Sequence, residues 1–267
     1  MTDSSADSNC PVAIELFGVE KSFGSQQVLA GVDLRVCTGT TTVIVGASGE
    51  GKSVILKHML GLMRPDSGRV EIFGQDISRA SARQLKQVRR DFGVLFQNVA
   101  LFDSMTIFDN VALPLRERTN ENPKEIRARV EKLLGMMDLP GVGPKYPAQL
   151  SGGMQKRVGL ARALALDPKI VFFDEPTTGL DVHKSNEIYR LFHHTQEQLG
   201  YTAVIVSHDV PKIFKLSDHV ALLAEGVIQG QLTPEEFQRS GNPLIREFVE
   251  TTMGPIYSSE KEEAALL

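Results

Sequence analysis

The apolar positions change their spacing three times along the chain. From Val12 to about Val45 they alternate or cluster in short β-rich runs, VAIELFGV, QVLAGVDLRV and TTVIVG, separated by glycine. That spacing predicts strands joined by tight turns. SVILKHMLGLM then takes helical spacing and stops at Arg64-Pro65, and GRVEIFGQDI reads as a short strand pair. Between about Ser78 and Asp167 the texture turns to charged amphipathic helices. One is PKEIRARVEKLLGMM, with Pro123 at a first helical position, where its missing N–H costs nothing. From Lys169 onward KIVFFDE, SNEIYRLFHHTQEQLG, YTAVIVSHD, VPKIFKLSD and HVALLAEG alternate strand and helix. Alternation of this kind predicts a parallel sheet covered by helices, so the fold class is α/β with a helical insertion.

Composition narrows the picture without redirecting it. With 267 residues, 42% of them hydrophobic, the chain can bury one large core. A net charge of −4 gives no electrostatic footprint for wrapping nucleic acid. The opening MTDSSADSNCP has neither the basic region nor the apolar core of a signal peptide and reads as a disordered lead-in; the acidic end SSEKEEAALL reads as loose. No apolar run is long enough to span a bilayer, so work at a membrane would require a partner to hold the chain there. The two cysteines, Cys10 and Cys37, stand in no metal-ligand or redox spacing. They fit a reducing compartment, and equally indifference to redox state.

Chemistry concentrates where apolar runs stop. After the strand-like TTVIV and before a helical stretch, Gly46, Ala47, Ser48, Gly49, Glu50, Gly51, Lys52 and Ser53 have the G-x-x-x-x-G-K-[ST] spacing. Glycine lets backbone N–H groups turn toward a polyphosphate, and the helix N-terminus adds partial positive charge. Lys52 can reach the outer phosphates and the Ser53 hydroxyl can ligate magnesium. A second run, KIVFFDEP, is apolar on both faces and ends in Asp174-Glu175. In an open parallel sheet ligands lie outside the C-terminal strand ends, where both carboxylates should emerge. Asp174 can hold the magnesium and Glu175 can orient or deprotonate an attacking water. DFGVLFQ stops at Gln97 and YTAVIVSHD at His208, so four apolar runs each end at a polar group. A shared edge would bring Gln97 to the metal or its water and His208 to the γ-phosphate.

Residues 150–160, LSGGMQKRVGL, supply Ser151 as a helix N-cap, Gly152 and Gly153 for close backbone approach, and two cations, Lys156 and Arg157, that the helix dipole disfavours near its N-terminus. These motifs, in this order from Val12 to about Gly230, resemble the ATP-binding subunit of ABC transporters. The resemblance implies a P-loop NTPase core of RecA type, with an N-terminal antiparallel β-subdomain and an inserted helical subdomain over about residues 98–165. It implies an ATP-binding domain over 12–232, after the lead-in 1–11 and before a C-terminal extension 233–267, in which GNPLIREFVETTMG mixes apolar and charged residues at helical spacing and suits either docking on a neighbouring subunit or packing on its own domain. It also implies ATP and Mg2+, and a head-to-tail dimer in which Ser151, Gly152 and Gly153 cover the ATP held by the other copy's phosphate loop. On the same grounds Phe23 matches the aromatic that stacks on adenine, and Asp181, in GLD, matches the acid that communicates across the dimer. Lys156 and Arg157 would then gain an anionic partner in that second ATP. Met154 stands where glutamine is usual, followed by Gln155.

The wording is narrower than the superfamily. NVALFDSMTIFDNVALPLRE after Gln97, LSGGM.KR..LARALAL.P and VSHDVPKIFKLSDHVALL together look like the Mla type of ABC ATPase. That type implies a multi-span permease, an MCE-domain lipid-binding protein, a STAS-domain protein and a phospholipid substrate at the cytoplasmic face of a bacterial inner membrane. An importer of a small polar solute is the alternative within transport. A soluble ABC protein acting on nucleic acid or ribosomes is the remote one, since the chain carries neither paired ATPase domains nor a basic surplus.

Overall fold

The computed structural model describes residues 10–208 and 213–253, so the lead-in before residue 10 and the acidic end beyond residue 253 lie outside the described residues. The chain opens with two long strands, β1 (Val12–Phe23) and β2 (Gln26–Cys37), then β3 (Thr41–Val45) and α1 (Lys52–Met59). Next come β4 (Ser67–Ile72), β5 (Gln75–Asp76), α2 (Ala82–Val88) and β6 (Phe92–Leu95). Three helices follow, α3 (Ile107–Arg118), α4 (Pro123–Met136) and α5 (Gly152–Leu164). The rest runs β7 (Ile170–Asp174), α6 (Val182–Leu199), β8 (Thr202–Val206), β9 (His219–Ala224), β10 (Val227–Leu232), α7 (Pro234–Gln238) and α8 (Pro243–Met253).

These strands make two sheets. One is antiparallel in the order β2-β1-β4-β5; the other has the order β10-β9-β3-β8-β7-β6 and is parallel except for its β9-β10 hairpin. Successive side chains of a strand point to opposite faces, and the large sheet uses that alternation to serve two cores. Val43, Val45, Val171, Phe173, Ala203, Ile205, Val220 and Leu222 face the core shared with α3, α4, α5 and α6. Ile44, Ile170, Phe172, Val204, Val206, Ala221 and Leu223 face the core shared with α1 and the antiparallel sheet. Continuous apolar strands follow from this, because neither face meets water. Each fully buried phenyl, Phe172 on one face and Phe173 on the other, contributes about 2–3 kcal/mol by removal from water.

Helix starts follow local chemistry. Asn122 caps α4 in a reciprocal capping box with Glu125, with Pro123 as the first helical residue. Thr106 caps α3, and the buried Asn110 accepts from Phe102 N and donates to the carbonyls of Phe102, Met105 and Thr106, fixing the loop ahead of that helix. The C-terminal helix α8 lays Ile245 and Phe248 on its own chain's core, with Phe248 edge-on to Phe237 at 6.3 Å.

One expectation changes. Cys10 and Cys37 form a disulfide, with Cα atoms 5.8 Å apart. The β1–β2 register sets Val12 opposite Cys37, and Thr38 N donates to the Pro11 carbonyl, so Cys10 meets its partner across 27 residues. No local spacing of cysteines could carry that signal.

Candidate functional site

Four strands deliver their C-terminal ends to one edge. Ile44 of β3 and Asp174 of β7 both pair with Val206 of β8, and Leu95 of β6 pairs with Phe173, one row before Asp174. Within two residues of those rows therefore stand Gly46, Asp174-Glu175, Ser207-His208 and Phe96-Gln97. Backbone bonds stitch the row together beyond the strands: Glu175 N donates to the Val206 carbonyl at 2.9 Å and Ser207 N to the Ile44 carbonyl at 3.2 Å.

The phosphate loop is shaped by glycines that the chain itself requires. Gly46 has φ of 155°, and a Cβ there would stand 2.3 Å from the Leu223 carbonyl oxygen. Gly51, the residue capping α1, has φ of 100°, and a Cβ would stand 2.8 Å from Val28 Cγ1 of β2. No side chain bonds the first N–H groups of α1, which leaves a helix N-terminus suited to an anion. Lys52, only 6% exposed, donates to the carbonyls of Gly46 at 2.8 Å and Ala47 at 2.7 Å. Burial lowers its pKa, against the raising fields of Glu175 and Glu50. Glu50 in turn accepts from Glu225 N at 3.0 Å. Ser53 is exposed beside Lys52.

The two acids of the pair are both partly buried but differ in what surrounds them. Burial, the neighbouring Glu175 charge and a smaller opposing field from Lys57 leave the Asp174 pKa raised. Glu175 sits in the left-handed region, φ 44°, and accepts from Thr178 Oγ1 at 3.1 Å. His208 Nδ1 lies 3.4 Å from its Oε1. Beneath this loop a buried chain of hydroxyls runs from Thr177 to Tyr189 at 2.9 Å and on to Ser207 at 3.3 Å, tying the β7 and β8 exits to α6. Neither threonine nor Tyr189 was legible as part of the site, because a hydroxyl three residues from an acid is common everywhere.

A divalent cation fits what stands here. Asp174 carboxylate, Ser53 hydroxyl and Gln97 amide oxygen are hard donors, the chemistry Mg2+ prefers, and no three His, Cys, Asp or Glu side chains cluster into a metal cage among the described residues. Such a set suits an ion that shares its coordination with phosphate and water.

Phe23 closes β1 and is 47% exposed, with Lys21 Nζ 5.8 Å from its ring centre, so it is a surface aromatic and no part of either core. It lies in the hairpin whose second strand brings Val28 against Gly51. Gln97 is exposed. Asp181 caps α6: its side chain accepts Lys184 N at 3.0 Å and pairs with Lys184 Nζ at 2.9 Å, which holds its pKa down to about 2.

Helix α5 starts at Gly152, directly after Ser151, so Lys156 falls in the second turn, where the dipole penalty has faded. Ser151 is the N-cap, accepting from Met154 N. Both cations already have partners within the chain. Lys156, 5% exposed, donates to the Gln97 carbonyl at 2.5 Å. Arg157 binds the Met137 carbonyl and the carboxylates of Asp138 and Glu187. In this arrangement neither offers a free charge to a second nucleotide, and neither is a solvated surface charge. Gly152 and Gly153 differ from the phosphate-loop glycines: a Cβ on either would meet its own chain only at ordinary contact, 3.8 Å from Leu180 Cδ2 and 3.9 Å from Lys184 Cδ.

Residues 29–178 match the protein-family model described as ABC transporter. The chain belongs to this family. It is an ATP-binding, ATP-hydrolysing subunit of the ABC type, with Mg2+ as the accompanying ion. It is 42% identical over 264 residues to "Probable ribonucleotide transport ATP-binding protein mkl" of Mycobacterium leprae, covering 96% of this chain and 76% of that one. It is 39% identical over 250 residues to the sulfate/thiosulfate import ATP-binding protein CysA of Escherichia coli K12, covering 92% and 66%. Among solved structures, the dimeric cassette MJ0796 in a post-hydrolysis state bound to ADP and Pi superposes with a TM-score of 0.75 at 32% identity, covering 83% of this chain and 98% of that one. The cassette cbiO1 of Clostridium perfringens, part of the complex cbiONQ, gives 0.80 at 28% identity, covering 92% and 97%. No described helix of this ABC ATPase is long and apolar enough to cross a membrane, and cassettes of the family act beside a membrane permease.

Proposed function

We propose that two copies of this cassette close head to tail on two ATP molecules and power the movement of a lipid, with phospholipid the leading candidate, through a separate multi-span permease at the cytoplasmic face of a bacterial inner membrane. The observation that carries the dimer is the pair Gly152-Gly153. Glycine in a first helical turn forgoes about 1 kcal/mol of helix propensity per residue, and nothing in the chain's own packing requires it. A bare backbone there serves the approach of another molecule, and an anion at a helix start capped by Ser151 meets that need.

Within each site the roles divide by geometry. N–H groups of Gly46–Ser53 and the Lys52 ammonium bind the phosphates, with Lys52 leaving the two loop carbonyls for the stronger anionic acceptor. Phe23 offers its face to adenine. Ser53, Asp174 and Gln97 hold Mg2+, which when bound neutralises charge on the outer phosphates. Glu175 orients and deprotonates the attacking water, and His208, 3.4 Å from it, places a donor beside the γ-phosphate. Asp181 carries the state of one site to the other.

The lipid reading draws on the Mla-like wording of the sequence; the permease contact draws on two exposed aromatics that flank Gln97 in the sequence, Phe96 and Phe102, 40% and 49% exposed. Apolar surface of that kind marks a partner site, and a cytoplasmic helix of the permease is the partner. An MCE-domain protein and a STAS-domain protein complete the assembly. The names of the two relatives, ribonucleotide transport and sulfate/thiosulfate import, favour a second reading as the ATPase of a small-solute importer. Affinity purification of the tagged chain from native membranes in mild detergent, followed by mass spectrometry of proteins and lipids, separates the two. A permease with an MCE protein and stoichiometric phospholipid is the expected result; a permease with a solute-binding protein overturns the substrate and leaves the ATPase intact.

A further inference from the structure

The helix α5 grips the segment that carries Gln97, and no motif accounts for that grip. Lys156 donates to the Gln97 carbonyl at 2.5 Å; Arg162 donates from Nη2 to the Val99 carbonyl at 2.6 Å and from Nη1 to the Ala100 carbonyl at 2.7 Å. Three of the four carbonyls between residues 97 and 100 are thus held by two cations of one helix. Between them, at the same three-residue interval, Gly159 lets the backbones close: a Cβ there would stand 2.4 Å from Val99 Cγ1 and 2.7 Å from Leu95 Cδ1.

The gripped segment is strained. Val99 has φ of 56° and Ala100 of 51°, the left-handed region that disfavours any Cβ and a β-branched one most. Such backbone persists only where its surroundings impose it, and it gathers at functional sites. The grip also carries a solvation cost, since burial lowers the pKa of both Lys156 and Arg162, and only Lys156 gains an opposing field, from Glu175. One buried cation, one partly buried cation and two strained residues are spent on the position of four backbone units.

We propose that Lys156 and Arg162 are positioning residues that clamp residues 97–100 to α5, so that the reach of the Gln97 side chain into its own copy's ATP site is set by the helix whose N-cap, Ser151, is offered to the other copy's ATP. The clamp rests on the role given to Gln97 above. It couples the two sites mechanically: a shift of α5 as it meets the second nucleotide carries Gln97 with it. Releasing the clamp leaves the phosphate loop untouched and lets the strained segment relax, so turnover falls while ATP still binds.

A double-mutant cycle on the full chain tests this, reading kcat, KM for ATP and thermal melting. Lys156→Met should lower kcat about 10-fold with KM within about 2-fold, Lys156→Arg should restore most of it, and in a Gln97→Ala background Lys156→Met should change kcat by less than about 2-fold. Arg162→Lys keeps the charge, loses the paired donors and should follow the same pattern at about 3-fold, which carries the cycle if Lys156→Met fails to fold. Equal losses with and without the Gln97 side chain, or normal kcat in both clamp variants while Gln97→Ala is slow, overturn the clamp and leave the role of Gln97 standing. Full turnover by Gln97→Ala overturns that role, and the clamp with it.

Discussion

Two helices of this molecule begin at glycines and bury a lysine near their start, and they use both residues in opposite ways. At the phosphate loop the chain itself demands glycine: Gly46 and Gly51 have positive φ and no room for a Cβ. At the start of α5, Gly152 and Gly153 have room and need no unusual backbone. Lys52 and Lys156 are almost equally buried, both donate to carbonyls, and both lie in the field of Glu175. Lys52, however, rests on carbonyls of the loop that would receive the phosphates, whereas Lys156 reaches across to a different segment. A cation parked on its own loop is ready to exchange partners; a cation that bridges two segments is a strut. The lesson is that burial and residue type do not assign a role, and the identity of the acceptor does.

That contrast can be tested from its largest consequence down. Glu175, whose field reaches both lysines, should be indispensable to chemistry and not to binding: Glu175→Gln is expected to lower steady-state phosphate release about 10³-fold while ATP still binds and the dimer accumulates on a sizing column. Normal hydrolysis by this variant would remove Glu175 from the role of base. Lys52→Ala should act on binding, weakening ATP about 100-fold in equilibrium titration, since it deletes a charge-assisted contact to phosphate. A loss confined to kcat would make Lys52 a second strut and erase the distinction. Gly153→Ala probes the other half of the comparison. With no clash in its own chain it should leave melting unchanged or raise it by a few degrees, yet cut ATPase activity about 10-fold by blocking the approach of the second copy. Unchanged activity would leave that glycine without a purpose.

The smallest effect concerns the half-buried Asp174. Its pKa is raised in the folded chain, chiefly by burial, so the ionised form opposes folding at neutral pH. Removing the charge in Asp174→Asn should raise Tm by roughly 2 °C at pH 7.5 without Mg2+, and the gain should vanish as pH falls below the unfolded value near 3.9, where the carboxyl is protonated in both states. A lowered Tm at pH 7.5 would mean that Asp174 is stabilised by partners rather than strained by burial.

Much of the candidate site is legible in the sequence because its parts are local. A glycine-rich turn between a strand and a helix, an acid pair after an apolar run and a serine before a helix each declare their chemistry within ten residues. Phe23 and the cysteines show the limit. Phe23 sits in a β run where an aromatic belongs in a core as readily as on a surface, and only the hairpin's placement exposes it. Cys10 and Cys37 pair through the antiparallel register of β1 and β2, which no spacing along the chain announces. From the sequence alone Lys156 and Arg157 are cations near a helix start in want of an anion. Lys156 falls in the second turn, and carbonyls and carboxylates from distant segments supply what both cations need.

The sequence by itself determined the order of strands and helices, the spacing of the candidate phosphate loop and acid pair, and the class of reaction, because these depend on propensity, periodicity and backbone conformations that neighbouring residues impose. Tertiary structure alone decided which row of the sheet each motif occupies, which glycines the chain needs for itself, and which cations are struts. Those are questions of what stands within 4 Å of a group, and for Lys156 and Gln97, 59 residues apart in the chain, only folding brings the answer into contact.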